Sequence, residues 1–259
     1  MTNANASVNV KPIENAIAEL DAVIEWARSE GSPVGYFATL YRLVTRTIHD
    51  TVARGDYFDD DARMVTFDVR FAGRYLAAYK AWRDGEPTTE AWAIALEATK
   101  DTDVTLMQHL MLGINAHMNL DLPVVAASLA AHGSLASLHA DFLRINEILG
   151  SLVPPFEEAV GKVSPRLAKI ESFAPKLEGK LFDFGLIIGR DVAWHDAESV
   201  VEAGQNGHDA RVESLDASVA RLGAEFRHLP EPLAPINRWI GEEESRDVAA
   251  NLDLLGAIT

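Results

Sequence analysis

Cysteine is absent from the 259 residues, which excludes disulfides, thiolate metal sites and cysteine nucleophiles. No apolar run reaches the roughly eighteen residues that would suggest a membrane span. The opening MTNANASVNVKPIEN has neither the basic nor the apolar region of a secretory signal, so the expectation is a cytoplasmic chain with no membrane span. Positive charge is scarce. The 23 Lys and Arg residues face 39 Asp and Glu residues, and the resulting net charge of −16 argues against a nucleic-acid partner. Also missing are a glycine-rich phosphate loop, a G-x-S-x-G elbow and internal repeats, which removes P-loop, Rossmann, serine-triad and solenoid readings.

What remains is apolar and periodic. Hydrophobic residues make up 48% of the chain, enough for a sizeable core. From Pro12, the residues Ile13, Ile17, Leu20, Val23, Ile24 and Ala27 recur at helical spacing, and Tyr36, Phe37, Leu40, Tyr41, Val44 and Ile48 do so again. DYFDDDARM reads as a loop capping a helix from Arg63 to Trp82, and further helical patterns lie near 123–131, 138–150, 165–172, 180–203 and 208–228. Pro154-Pro155 reads as punctuation, and Pro235 to Leu255 as an amphipathic acidic segment. Period-two alternation is missing. The expected fold is all-α: a mobile tail at 1–11, then a single-domain multi-helix bundle over 12–259 with a central buried helix.

That central helix is QHLMLGINAHMNLDL, residues 108 to 122, with His109, Gly113, His117 and Asp121 spaced four apart. His117 and Asp121 lie about 6 Å apart along a helix axis, so they can share a cation or hydrogen-bond to each other. His109 lies about 12 Å from His117, a spacing that suits opposite ends of a pocket. Gly113 costs roughly 1 kcal/mol in helix propensity and leaves a gap for a neighbouring helix or a ligand. A plainer account stands beside this one: Asp121 precedes LPVV and suits an N-cap, while both imidazoles suit a satisfied core.

Other helices supply companions. FDVRFAGRYLAAY carries Asp68, Arg70 and Arg74; HADFLRINEIL carries His139, Asp141, Asn146 and Glu147; GRDVAWHDAESV carries Arg190, Asp191, Trp194, His195 and Glu198. Glu147, Asp196 and Glu198 read as solvated or internally paired, whereas apolar neighbours point Asp68 and Asp191 inward. Buried carboxylates need a cation, an arginine or hydrogen bonds, and oxygen-rich ligation with few histidines suits Mg²⁺ or Mn²⁺, while a histidine-rich set suits Zn²⁺.

YFATLYRLVTRTI, FDVRFAGRYL, QHLMLGINAHMNLDL, DFLRINEIL and RDVAWHDA together resemble an uncharacterised bacterial and fungal all-α domain family, which is itself similar to non-conventional sesquiterpene synthases of the ionylideneethane type. The resemblance implies metal-assisted ionisation of a prenyl diphosphate in an aromatic-lined cavity, although the DDxxD and NSE/DTE elements of ordinary class I synthases are absent. In that arrangement Asp68, His117, Asp121 and Asp191 hold the divalent metal, Mg²⁺ first. Arg74 and Arg190 steady the leaving oxygens, and Phe67, Phe71, Tyr75, Trp194 and Asn115 line the substrate. His109, or the departing diphosphate, takes the proton. The competing readings are a metal-dependent phosphoester hydrolase and a non-catalytic helical ligand-binding or interaction domain whose polar stripe is only a hydrogen-bond network.

Overall fold

The computed structural model describes residues 8–130, 135–173 and 178–258, with side chains described outside 171–188. Among the described residues the regular structure is helical, with no strand. The first helices form where the sequence supplies both period and caps. Helix α1 (Lys11–Glu30) starts with proline in its first turn and ends on Gly31, whose φ of 64° only glycine adopts freely. Of the expected tail, 1–7 lies outside the described residues, while Val8 and Val10 already pack against the core. Helix α2 (Val34–Arg54) pairs with α1, and α3 (Asp61–Asp84) is capped by the Asp60 carboxylate, which accepts from the Arg63 backbone N–H. Helix α4 (Glu90–Glu97) is short and buries half of its residues, Trp92 among them.

Helix α5 (Leu106–Ala116) begins with a reciprocal cap between Thr105 and Gln108. It continues through a π turn (His117–Asp121) into α6 (Leu122–Ala130). Leu106 to Ala130 is thus one helix, long and apolar enough by composition to cross a membrane, but mostly enclosed by α2, α3, α4, α7, α9 and α10. The break expected before Asp121 does not occur. Pro123 has no N–H to offer Asn119, and its ring would crowd that carbonyl in an α-helix; the wider π turn carries the chain past the proline without ending the helix.

Helix α7 (Leu135–Val163) likewise runs through Pro154 and Pro155, where a stop was expected. Both prolines lie on the exposed face, as do Gly150 and Ser151, so the carbonyls left without a donor face solvent. Helices α8 (Pro165–Phe173), α9 (Glu178–Glu202) and α10 (Gly204–Arg227) follow; only Ala203 parts α9 from α10, and α10 opens on Gly204 at φ 61°. The acidic C-terminal segment is two helices, α11 (Leu233–Gly241) and α12 (Val248–Gly256). Between them Glu244 turns inward, accepting from Leu106 N at 2.8 Å and Ser164 Oγ at 2.8 Å, so it caps α5 instead of facing water.

The gap at Gly113 belongs to α2. A Cβ there would sit 2.5 Å from the Phe37 ring, so a neighbouring helix and not a ligand occupies the space. Gly113→Ala is expected to lower folding stability by about 1–3 kcal/mol despite the better helix propensity, because the clash is with a packed aromatic ring. Urea denaturation reads this directly, and an unchanged midpoint would contradict it.

Candidate functional site

A cavity of about 80 Å³ lies between α2, α3, the α5–π turn, α7 and Arg190 at the middle of α9. Its walls are mainly apolar and aromatic, with Phe37, Tyr41, Phe67, Phe71 and Phe156 prominent. Four polar-bearing side chains also line it: Asp68, His117, Arg190 and the Tyr41 phenol. This is about half the roughly 150 Å³ that admits a benzene ring, so a short branched molecule enters only as the walls give way slightly.

The π turn positions the first of these. Asp121 is fully buried and its two oxygens are divided among three donors: Arg74 Nε to Oδ1 at 2.5 Å, and Trp92 Nε1 at 2.9 Å and His117 Nδ1 at 3.0 Å to Oδ2. A carboxylate paired with arginine only accepts, so the proton between His117 and Asp121 sits on Nδ1. Nε2 is then the basic nitrogen. It is buried without a hydrogen-bond partner. The imidazole stacks on Phe71 at 3.6 Å between centroids and meets Tyr41 edge-on at 4.3 Å. Burial lowers the His117 pKa, only partly opposed by Asp121, which keeps the ring neutral and able to accept a proton.

Asp68, on α3, is 1% exposed, and neither carboxylate oxygen has a hydrogen-bond partner. Burial pushes its pKa up to about 7, so near neutrality a substantial share of it is the neutral acid. Tyr41 OH is also unpartnered, and burial first, then Asp68 and Asp121, hold its pKa well above the ordinary phenol value. Arg190 is 2% exposed; it donates to Phe142 O at 2.6 Å and to Asn146 Oδ1, and its guanidinium lies 4.1 Å from the Phe142 ring centroid.

The remaining expected residues scatter. Phe67 and Phe71 line the cavity, and Tyr75 packs behind it between Phe37 and Trp92. Asn115 is a structural strut, donating to Val219 O at 2.9 Å and accepting from Asn119. Trp194 packs on Phe142 and His139 and donates to Glu198, away from the cavity lining. His109 opens into a different cleft beside Tyr36, Glu244 and Arg246, where burial lowers its pKa to about 4. Asp191 is exposed, contrary to its inward placement from the sequence, because its neighbours Ala193 and Trp194 take the buried stripe of α9. Asp141 is buried but spent on Arg63, Arg144 and the backbone N–H groups of Asp59 and Asp60.

A divalent cation asks for several charged oxygens converging on one point. Here Asp121 is saturated by Arg74, Trp92 and His117, Asp68 is a single carboxylate on the cavity wall, and Asp191 points elsewhere. Among the described residues no group of three or more His, Asp or Glu side chains gathers as a metal site. These donors do not fit a divalent metal in this arrangement. Arg74, expected on a leaving group, is instead the counter-ion of Asp121.

Sequence reasoning missed Trp92 and Tyr41 as members of the site. Trp92 was not singled out in the sequence, although a buried indole N–H usually finds an acceptor, and that need was the available signal.

Residues 13–228 match the family described as Family of unknown function (DUF5995), and the chain belongs to that family. No curated protein and no solved structure matches it.

Proposed function

We propose that this member of the DUF5995 family is an acid–base enzyme that moves a proton on a small unsaturated, isoprenoid-like molecule held in the cavity between α2, α3, α5 and α7. One observation carries the reading: two buried proton-exchanging groups without partners, the Asp68 carboxyl and His117 Nε2, line the same apolar cavity. The neutral Asp68 acid delivers its proton to a terminal alkene carbon, and the π pair becomes the new C–H bond. The tertiary cation left on the adjacent carbon is shielded by the faces of Phe71 and Tyr41. His117 Nε2 then takes a proton from the neighbouring carbon, and that C–H pair becomes the shifted double bond. Asp121 holds the imidazole in the tautomer this requires.

The resemblance to sesquiterpene synthases supports the substrate class, since carbocation handling in an aromatic cavity is common to both. Two features favour proton-initiated chemistry over diphosphate ionisation. The donor set does not suit Mg²⁺, and the cavity is far smaller than a fifteen-carbon chain needs.

The test is 3-methylbut-3-en-1-ol incubated with the protein in D₂O, followed by NMR. The expected result is migration to 3-methylbut-2-en-1-ol with deuterium entering the new methyl group, without added metal and unaffected by a chelator. Farnesyl diphosphate with Mg²⁺ is expected to release neither hydrocarbon nor diphosphate. Metal-dependent diphosphate release, or no exchange with the five-carbon alcohol, overturns the proposal.

A further inference from the structure

Among the described residues, two buried aspartates have arginine partners. Buried Asp121 has Arg74, and buried Asp141 has Arg63 and Arg144. Arg190 differs. It is 2% exposed and has no carboxylate within ion-pair distance among the described residues. The described residues engage two of its N–H donors, through neutral acceptors on α7: the Asn146 side-chain oxygen and the Phe142 carbonyl. Asp191, its neighbour in sequence, is exposed, and Asp68 shares the cavity without an ion pair to Arg190, a substantial share of it protonated near neutral pH. Burial lowers the guanidinium pKa to about 9, which still leaves it a cation at neutral pH. A buried cation without an anion costs several kcal/mol, and the arginine forms part of the lining of an apolar cavity.

We propose that the ligand of this cavity is a short, branched carboxylic acid, its carboxylate paired with Arg190 and its hydrocarbon end against Phe71, Asp68 and His117. The guanidinium fork matches one carboxylate in bidentate fashion. A single negative charge also suits the place better than a phosphate dianion, whose desolvation in an apolar cavity is several times more costly. The inference rests on the proposed reading of the cavity as a ligand site, and names the substrate's head group.

Titration calorimetry on the full chain compares 3-methylbut-3-enoate, 3-methylbut-3-en-1-ol, 3-methylbut-3-en-1-amine and inorganic phosphate. The acid is expected to bind at least about tenfold more tightly than the alcohol, with the amine and phosphate weaker than both. Arg190→Gln is expected to erase the acid's advantage while alcohol binding stays. Arg190→Lys keeps the charge and loses the fork, and is expected to retain part of the advantage, which covers the case of a glutamine variant that does not fold. Equal affinity of acid and alcohol, phosphate displacing the acid, or an advantage that survives Arg190→Gln overturns the inference and leaves the acid–base proposal standing. If neither acid nor alcohol enters, both fall. Acid binding in an Asp68→Asn protein that no longer exchanges protons supports the inference independently of turnover.

Discussion

Asp121→Asn is expected to cost about 3–5 kcal/mol of folding stability, the largest loss of any single substitution in the site. The reason is what remains behind. Arg74 Nε, Trp92 Nε1 and His117 Nδ1 all donate to this carboxylate, and Asp121 itself is wholly buried. An amide in its place offers one accepting oxygen and turns its N–H₂ toward either the guanidinium or the indole and imidazole pair, so Arg74 loses its counter-ion and the donors facing the N–H₂ lose their acceptor. Activity is expected to fall further than stability implies, by about 10³–10⁴-fold, because nothing then holds the imidazole proton on Nδ1 and Nε2 ceases to be reliably the base. Urea denaturation and the alcohol isomerisation assay, run below the variant's melting temperature, separate the two effects. A variant as stable as the parent would show that the three hydrogen bonds contribute little.

Asp68→Asn is expected to do the opposite to stability while also abolishing turnover. In the unfolded chain the carboxyl ionises near 3.8, and in the fold near 7. Between these values the folded protein keeps a proton that the unfolded chain has lost, so stability falls as pH rises through that window and levels off above it. The gap corresponds to about 4 kcal/mol. Asparagine removes this penalty but leaves an unpartnered amide worth about 1–3 kcal/mol, so the net gain above pH 7 is about 1–3 kcal/mol. Below pH 4 the variant is expected to have no advantage. The difference between variant and parent, followed by denaturation from pH 4 to 8, isolates Asp68 from the other titrating groups. A pH-independent difference contradicts the assignment, and retained isomerisation within about tenfold of the parent removes Asp68 as the acid.

Gain in stability with loss of function is the pattern expected where a fold keeps a costly group for its chemistry. The cost here is local and identifiable: a carboxyl on α3 with two unpartnered oxygens, facing apolar walls supplied by α2, α5 and α7.

Much of this was legible in the chain because helices advertise themselves by period and caps. The apolar stripes of α1 and α2, the Asp60 cap of α3 and the nearly all-apolar central helix are local features, and local features survive translation into structure. Asp68 was legible for the same reason, flanked by Phe67 and Phe71 on its own helix. Tertiary pairings were not. That Arg74 would be consumed by Asp121 depends on α3 crossing the π turn, and four-residue spacing says nothing about that crossing. Asp191 and Asp68 both sit among apolar neighbours, yet one is exposed and the other buried, because burial on α9 depends on which stripe meets α6 and α10. Proline misled twice in the same direction. Pro123 and Pro154-Pro155 interrupt the hydrogen-bond ladder, but a widened turn in one case and an open, solvated face in the other allow the helix to continue.

The widened turn also changes how the long central helix has to be counted. A π turn inserts an extra residue into the spiral, so side chains after it are rotated by about one α-helical step, roughly 100°, relative to a regular wheel drawn from Leu106. Residues 106–116 and 122–130 therefore keep two separate angular phases, and an alignment or graft that treats the segment as one continuous wheel would place every position of its second half on the wrong side.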